Sequence, residues 1–229
     1  MKLLERAVAV AYGLAYDLVV EGFPPYEALR EEVSELARRS APRGSVLDVA
    51  CGAGNVCLRL ARAGLGVHGI DPVEHLVAVA RRKQRRSGGA GDLTFERRDL
   101  AREPIDGGFD VIVSMNTLYW HPDPEALLAA CRRALRPGGH AVIVTYARHA
   151  GVRAVAGDVR AAAGLLAATR SLRWLVPTAL FELLRDFEPR YLTREELCAA
   201  LDAAGFDVLL ERHTFLADLC HLAWARRRE

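Results

Sequence analysis

The sequence predicts an α/β protein: a doubly wound, mostly parallel sheet with helices on both faces. Two observations carry this. Between Ser45 and Tyr146, short apolar runs alternate with amphipathic helical segments, the pattern of successive βαβ units with right-handed crossovers. The first run, Val46-Leu47-Asp48-Val49-Ala50, feeds directly into Cys51-Gly52-Ala53-Gly54 and then a helix. Glycines at such a turn let backbone approach a ligand closely, and the helix N-terminus behind them favours negative charge.

The elements follow in order. Leu3, Leu4, Ala7, Val8, Ala11, Leu14, Ala15 and Leu18 recur at helical spacing over residues 3–20, and Gly22-Phe23-Pro24-Pro25 is expected to stop that helix. A second amphipathic helix spans about Tyr26 to Arg39. Residues 1–40 therefore read as an N-terminal helical cap, and residues 41–146 as the core. In the core, Val46–Ala50 is the first strand and Gly66–Asp71 the second. Leu93–Asp99 is the third, Phe109–Met115 the fourth and His140–Tyr146 the fifth. Helices are expected after Gly54, from about Val73 to Arg86, and from about Pro124 to Leu135, the last ending at Arg136-Pro137-Gly138-Gly139. Residues 147–190 break this rhythm and read as one or two amphipathic helices inserted as a cap. Thr193-Arg194-Glu195-Glu196 has the form of a capping box and opens a helix that Gly205 ends. Phe206–Thr214 and Leu219–Ala225 read as closing strands, so 191–229 completes a single domain of 229 residues.

Composition bounds the function. The net charge is +2, without the basic excess usual in nucleic-acid enzymes, so no nucleic-acid partner is expected. The cluster Arg81-Arg82-Lys83-Gln84-Arg85-Arg86 falls at a helix end, where cations complement the dipole, and no aromatic residues interleave it. The five cysteines are scattered and none forms a C-x-x-C pair, which argues against a zinc site or a disulfide framework and fits a reducing cytoplasm. No uncharged apolar run reaches the roughly 20 residues that span a bilayer. The histidines show no metal-ligand spacing, so no metal is expected.

Three acidic residues stand in register with the glycine turn. Asp48 lies near the end of the first strand, Asp71 ends the second and Asp99 the third. Each alone is as well read as a cap or turn residue. In a parallel sheet all three strand ends meet at one edge, where doubly wound folds bind ligands.

Here the chain resembles the class I S-adenosylmethionine (SAM)-dependent methyltransferases, in particular their small-molecule type. The resemblance rests on Val46-Leu47-Asp48-Val49-Ala50-Cys51-Gly52-Ala53-Gly54-Asn55. Gly69-Ile70-Asp71-Pro72, Arg98-Asp99-Leu100, Phe109–Ser114 and Leu135-Arg136-Pro137-Gly138-Gly139 then follow in order. It implies seven strands with the last antiparallel, and S-adenosyl-L-methionine as cofactor with S-adenosyl-L-homocysteine as product. It further implies that Asp48 helps hold the methionine ammonium and that Gly52 and Gly54, with Ala50 and Asn55 in the same motif, let backbone pass the methionine portion. Asp71, followed by Pro72, would accept the ribose hydroxyls. Asp99 would accept from the adenine amino group beside Leu100, and backbone at Met115 would face the methionine portion. Ala15-Tyr16-Asp17 resembles an N-terminal element whose tyrosine closes over the cofactor. Many members have glycine where this chain has Ala50.

Two other readings stand beside it. A dinucleotide-binding oxidoreductase needs G-x-G-x-x-G, and Cys57 occupies the third glycine's place. A catalytically silent SAM-binding or regulatory protein would keep the same cofactor residues. At the acceptor end, Asn116-Thr117-Leu118-Tyr119-Trp120-His121-Pro122 lacks the Asn/Asp-Pro-Pro-Tyr/Phe motif of enzymes acting on planar amino nitrogens. A small-molecule acceptor is therefore expected. His121 is the first candidate for a general base, though an aromatic-His-x-Pro turn also serves to anchor a loop; Tyr119 and Tyr12 come after it. Leu165, Leu166, Leu172, Trp174, Leu175, Phe181 and Leu184 read equally as lining an apolar acceptor pocket, as cap core or as a dimer face.

Overall fold

The computed structural model describes residues 19–88, 91–184 and 188–229. Of the helix expected over residues 3–20, only Val19 and Val20 fall within these, and both are helical. Tyr12 and Tyr16 lie outside the described residues. The first full helix, α1 (Pro24–Ser40), begins on the two prolines that were expected to end its predecessor. Proline suits the first helical turn because its missing N–H has no partner there anyway.

The core alternates as the sequence pattern requires: β1 (Ser45–Val49), α2 (Asn55–Arg62), β2 (Gly66–Asp71), α3 (Glu74–Arg86), β3 (Leu93–Arg97) and β4 (Phe109–Met115). After a short 3-10 turn, Leu118–Trp120, come α4 (Pro124–Ala134) and β5 (Leu135–Tyr146). The remainder is α5 (Val152–Leu184), α6 (Arg194–Ala203), β6 (Phe206–Thr214) and β7 (Cys220–Arg227). The seven strands form one sheet in the order β3-β2-β1-β4-β5-β7-β6. β1 to β5 pair in parallel, and β7 runs antiparallel to both β5 and β6. Strand order reverses between β1 and β4, so the crevice at their C-terminal ends is the topological switch point of the sheet.

The strand alternation sorts the core into two layers, because successive side chains leave a strand on opposite faces. Val46, Val111, Val113, Val142 and Val144 face α1, α2, α3 and α5, and meet Leu29, Leu60, Val77 and Trp174. Leu47, Ile112, Ala141 and Ile143 face α4 and α6, and meet Leu128, Leu135 and Leu197. Each such buried aliphatic contributes about 1.5–3 kcal/mol. The box at Thr193 forms as its sequence suggests: the Thr193 hydroxyl accepts from the Glu196 N–H at 3.2 Å, and the Glu196 carboxylate accepts from the Thr193 N–H at 2.8 Å.

Four expectations are corrected. β3 stops at Arg97, which pairs with Asp71, so Asp99 sits two residues beyond the strand. There its carbonyl accepts from the Arg102 and Glu103 N–H groups at 3.1 and 2.8 Å, a turn that ends the ladder. β5 starts at Leu135, which pairs with Phe109 before the register shifts to Val111 opposite His140; the Arg-Pro-Gly-Gly segment is an irregularity in the strand and not a stop before it. β7 covers Cys220–Arg227, starting one residue later and ending two later than expected. The fourth concerns α5, which breaks at Gly164 (φ 84°, ψ 174°). Leu165, Leu166 and Leu172 face outward there and are exposed, as are Val176, Leu180 and Leu183. Of the three readings of these leucines, their exposure is at odds with pocket lining and cap core and compatible with a dimer face. Trp174 and Leu175 do turn inward, with Ala168, Ser171 and Thr178. The side chains of Phe181 and Leu184 lie outside the described residues.

Gly54 locks α2 onto the sheet. It is the residue before α2, at φ 75°, and a Cβ there would stand 2.8 Å from Phe95 Cζ on β3 and 2.9 Å from Ala80 Cβ on α3. Gly54→Ala should therefore pay both a left-handed backbone cost and an overpacking cost, together about 2–4 kcal/mol. Urea denaturation should show the midpoint fall with an unchanged slope. A midpoint within error of wild type would show that Phe95 and Ala80 yield without cost.

Candidate active site

The turn after β1 is built by three residues with positive φ: Ala50 at 57°, Gly52 at 55° and Gly54 at 75°. Cys51 N–H reaches across to the Ile70 carbonyl of β2 at 2.9 Å, and Gly54 N–H closes the turn on the Cys51 carbonyl at 2.9 Å. The two glycines serve different ends. Gly54 is demanded by packing, whereas a Cβ on Gly52 would meet nothing within 4 Å. Gly52 therefore borders open space at the sheet edge. Ala50 holds a conformation that glycine adopts without strain, which costs about 1–2 kcal/mol for an L side chain.

Asp71, the last residue of β2, is buried and ties this turn to the next. One carboxylate oxygen accepts the Gly52 N–H at 2.9 Å and the other the Val73 N–H at 2.8 Å. Burial pushes its carboxyl up to about 6, and the two backbone donors pull against that. Asp48, in β1, is buried as well, and its Oδ2 accepts from the Cys57 thiol at 2.9 Å. Burial pushes it up to about 7, with the Cys57 hydrogen bond opposing and the nearby Asp71 charge adding. Asn55 opens α2 and accepts from Lys83 Nζ at 2.8 Å. Met115 ends β4, half-buried; Pro72 is exposed; Leu100 is buried. Asp99, half-buried, accepts from the Ala101 N–H at 3.2 Å, with Arg102 Nε 3.5 Å away. Asp48, Asp71 and Met115 thus share the C-terminal edge of β1, β2 and β4, while Asp99 approaches it from the turn past β3.

Past β4, Asn116 adopts φ 54° and its carbonyl accepts from the Trp120 indole N–H at 2.7 Å. His121 is half-buried. Its Nδ1 lies 2.7 Å from the Asp123 carbonyl oxygen and 3.1 Å from the Asp123 nitrogen, so the ring is held by its own loop. Asp123 in turn caps α4 by accepting from the Ala126 N–H at 2.8 Å. Tyr119 is buried in an aromatic cluster, 4.5 Å from Tyr146 and 6.2 Å from Tyr191 between ring centroids. Tyr146 also lies 5.9 Å from Trp174 of α5. Tyr146 and Tyr191 carried no signal in the sequence, since no short-range spacing links the end of β5 to the segment before α6.

The basic cluster on α3 serves the fold: Arg81 donates to the Phe95 carbonyl at 2.8 Å and Lys83 to Asn55. A charged cleft of about 820 Å³ opens between α1, α2 and the end of α3, and Asn55 is its one lining residue, among those described, that belongs to the glycine turn. Its walls pair Glu27 and Glu31 with Arg59. The histidines also converge in a way their spacing hid. His213 and His221 face each other across β6 and β7, and with Glu211 they bring three ligand-type atoms within 4.8 Å of one another. Within the group, His221 Nδ1 lies 2.6 Å from Glu211, its Nε2 donates to the Leu192 carbonyl at 2.9 Å, and Arg194 pairs with Glu211 at 2.6 Å.

A family model described as a methyltransferase domain matches residues 23–211. The chain belongs to this family. Among curated relatives, the ubiquinone biosynthesis O-methyltransferase of Methylococcus capsulatus is 31% identical over 175 residues, which cover 75% of this chain and 68% of that protein. The namesake from Pseudomonas paraeruginosa is 38% identical over 105 residues, 46% of this chain and 45% of its own. The chain thus spans about half the length of the more identical relatives. A solved structure of similar fold is the 1,6-didemethyltoxoflavin-N1-methyltransferase of Burkholderia thailandensis. Its TM-score is 0.66 at 18% identity, covering 97% of this chain and 88% of that one.

The raised carboxyls make stability depend on pH. The unfolded chain loses these two protons near the ordinary 3.8, the folded chain only near 6 and 7. Their contribution is therefore fully present below about pH 4 and is lost as pH rises through 7. Asp48→Asn should remove the Asp48 part, so the ligand-free variant should gain stability relative to wild type between pH 5 and pH 8. Denaturation midpoints that keep a constant difference across that range would contradict a raised Asp48.

Proposed function

We propose that the protein is a SAM-dependent methyltransferase acting on a small-molecule acceptor. The observation that carries this reading is the pairing of Gly52 with Asp71 at the switch point. Gly52 leaves room along the turn, and Asp71 is fixed by two backbone donors with one further lone pair on each oxygen. A diol such as the ribose of SAM fits that carboxylate. The buried Asp48, fully enclosed next to the turn, suits an ammonium group in place of a proton. Asp99 and Leu100 would take the adenine, and Ala50, Gly52, Gly54, Asn55 and backbone at Met115 the methionine portion. Pro72 would border the ribose, and Tyr16 would close from the N-terminal side.

SAM supplies an electrophilic methyl group. The chain's own task is to align the acceptor, exclude water and manage the acceptor's proton. His121, oriented through Nδ1 by Asp123, would use Nε2 as a general base where the acceptor carries an O–H or N–H. Segments 1–40 and 147–190 are assigned as the cap over a core of 41–146, with 191–229 closing the sheet. The names of the curated relatives, ubiquinone biosynthesis O-methyltransferases, and of the structural neighbour, a 1,6-didemethyltoxoflavin-N1-methyltransferase, support a small acceptor. Among the described residues no helix is long and apolar enough to cross a membrane. The five free thiols, four of them buried, suit a cytoplasmic setting.

Asp71→Asn keeps the shape of the side chain and removes its charge. S-adenosylhomocysteine should bind the wild type near micromolar, about 8 kcal/mol, and the variant more weakly by ~1.5–3 kcal/mol, about ten- to over a hundredfold. Calorimetry on folded Asp71→Asn showing unchanged affinity would remove the ribose assignment.

A further inference from the structure

Three ligand-type side chains meet on one face of the outer hairpin. β6 is the edge strand of the sheet and pairs antiparallel with β7. His213 stands directly opposite His221, and Glu211 opposite Ala223. Residues two apart on a strand share a face, and directly opposite residues bring their Cβ atoms within about 5.5 Å. The face is the one covered by α6, since Ala223 and Ala225 pack there with Phe206, Leu197 and Leu201. A bulge aims the side chains that way. Val208 pairs with Ala225 and Leu210 with Trp224, which leaves Leu209 as an extra residue. Simple alternation from Phe206 and Val208 would carry Leu210 and Arg212 to the α6 face. The extra residue sends Glu211 and His213 there instead, and leaves Arg212 on the other face, paired with Glu32 of α1. Bulges at sheet edges re-aim side chains in this way.

Each of the three offers one ligand atom, and these atoms lie within 4.8 Å of one another. At bond lengths of about 2.0–2.2 Å, two ligands of one tetrahedral zinc ion stand about 3.4 Å apart. His213 is exposed, so its ring can swing inward over that difference. The side chains of Glu211 and His221 are buried, 3% and 1% exposed, and both are oriented from outside the group. His221 Nε2 donates to the Leu192 carbonyl, which leaves Nδ1 as the atom facing Glu211 Oε1 at 2.6 Å. A neutral ring with its proton on Nε2 has a lone pair at Nδ1, and a carboxylate oxygen has only lone pairs. A proton or another cation therefore has to stand between them. The other carboxylate oxygen, Oε2, is held by Arg194. Metal sites are built this way: the ligating histidine passes its second N–H to a backbone carbonyl, and the ligating carboxylate has an outer partner of its own.

We propose that Glu211, His213 and His221 form a binding site for a divalent ion of the zinc class. Two imidazole nitrogens and one carboxylate oxygen suit Zn²⁺, with a fourth position left to water on the exposed side of His213. On binding, the metal takes the place of the proton between His221 Nδ1 and Glu211 Oε1, and that proton passes to solvent. His221 Nε2 keeps its hydrogen bond to Leu192, and nothing is oxidised or reduced. The ion fastens the edge strand β6 to β7, and through Leu192 to the segment that leads into α6. β4 and β5 separate this hairpin from β1 and β2, which carry Asp48 and Asp71. The role is therefore structural and independent of the methyltransferase reading. Spacing along the chain shows no sign of a metal; the antiparallel register assembles the ligands.

The test uses the full chain without an affinity tag, stripped of metal by a chelator and titrated with Zn²⁺ by calorimetry. Wild type should bind one ion per chain with micromolar or tighter affinity. Free Zn²⁺ at a hundredfold excess over Kd should raise the thermal unfolding midpoint by about 5–10 °C. His213→Ala removes the exposed ligand and should weaken binding at least tenfold. A cooperative melting transition without metal shows that this variant folds. Glu211→Gln keeps the shape of the side chain, removes its charge and should also weaken binding at least tenfold. Absence of zinc binding by the wild type overturns the site. Unchanged affinity in either variant does so too, since the ion would then be held elsewhere.

Discussion

The carboxylate of Asp71, held between the Gly52 and Val73 N–H groups, is the interaction on which the architecture of this edge depends. It joins the turn after β1 to the turn after β2, and so sets where the N-termini of α2 and α3 stand relative to the switch point. The latch is buried and fixed by covalently rigid backbone on both sides. A mobile side-chain pair would leave the position of the carboxylate to chance. Two charges pulled out of water here, Asp48 and Asp71, raise each other's cost. The protein bears that cost at the place where a cationic, diol-bearing guest would relieve it, which is how strain at a functional edge is expected to be spent.

Much of this edge was legible because its chemistry is local. The strand-turn-helix unit, its glycines and the aspartates at 48 and 71 lie between Ser45 and Asp71, and the sheet follows from alternation alone. Legibility failed where long-range pairing decides. Leu93–Asp99 looks like one strand on paper, but the ladder with β2 runs out at Arg97 opposite Asp71, and the chain turns instead. The same holds for β5, whose start at Leu135 is set by Phe109 and not by the glycines that follow it. His213 and His221 are eight residues apart and meet only through antiparallel register.

The cap was only partly legible, for a different reason. Periodicity says that a helix has two unlike faces; it does not say which face turns inward. Leu165, Leu166, Leu172, Leu180 and Leu183 point outward, while Trp174 and Leu175 of the same helix turn inward. The side of the helix that turns inward thus depends on tertiary placement, while the glycine turn and its aspartates are written in contiguous motifs. A fold of this kind spends its constant features on one ligand and its variable helices on the other.

The central claim is that the turn at Gly52 and the carboxylate of Asp71 form a pocket for SAM and not for a dinucleotide. Titration calorimetry of the full chain with S-adenosylhomocysteine, with NADH as competitor, tests it directly. The account predicts binding near micromolar that millimolar NADH does not displace. Tighter binding of NADH than of S-adenosylhomocysteine would contradict it.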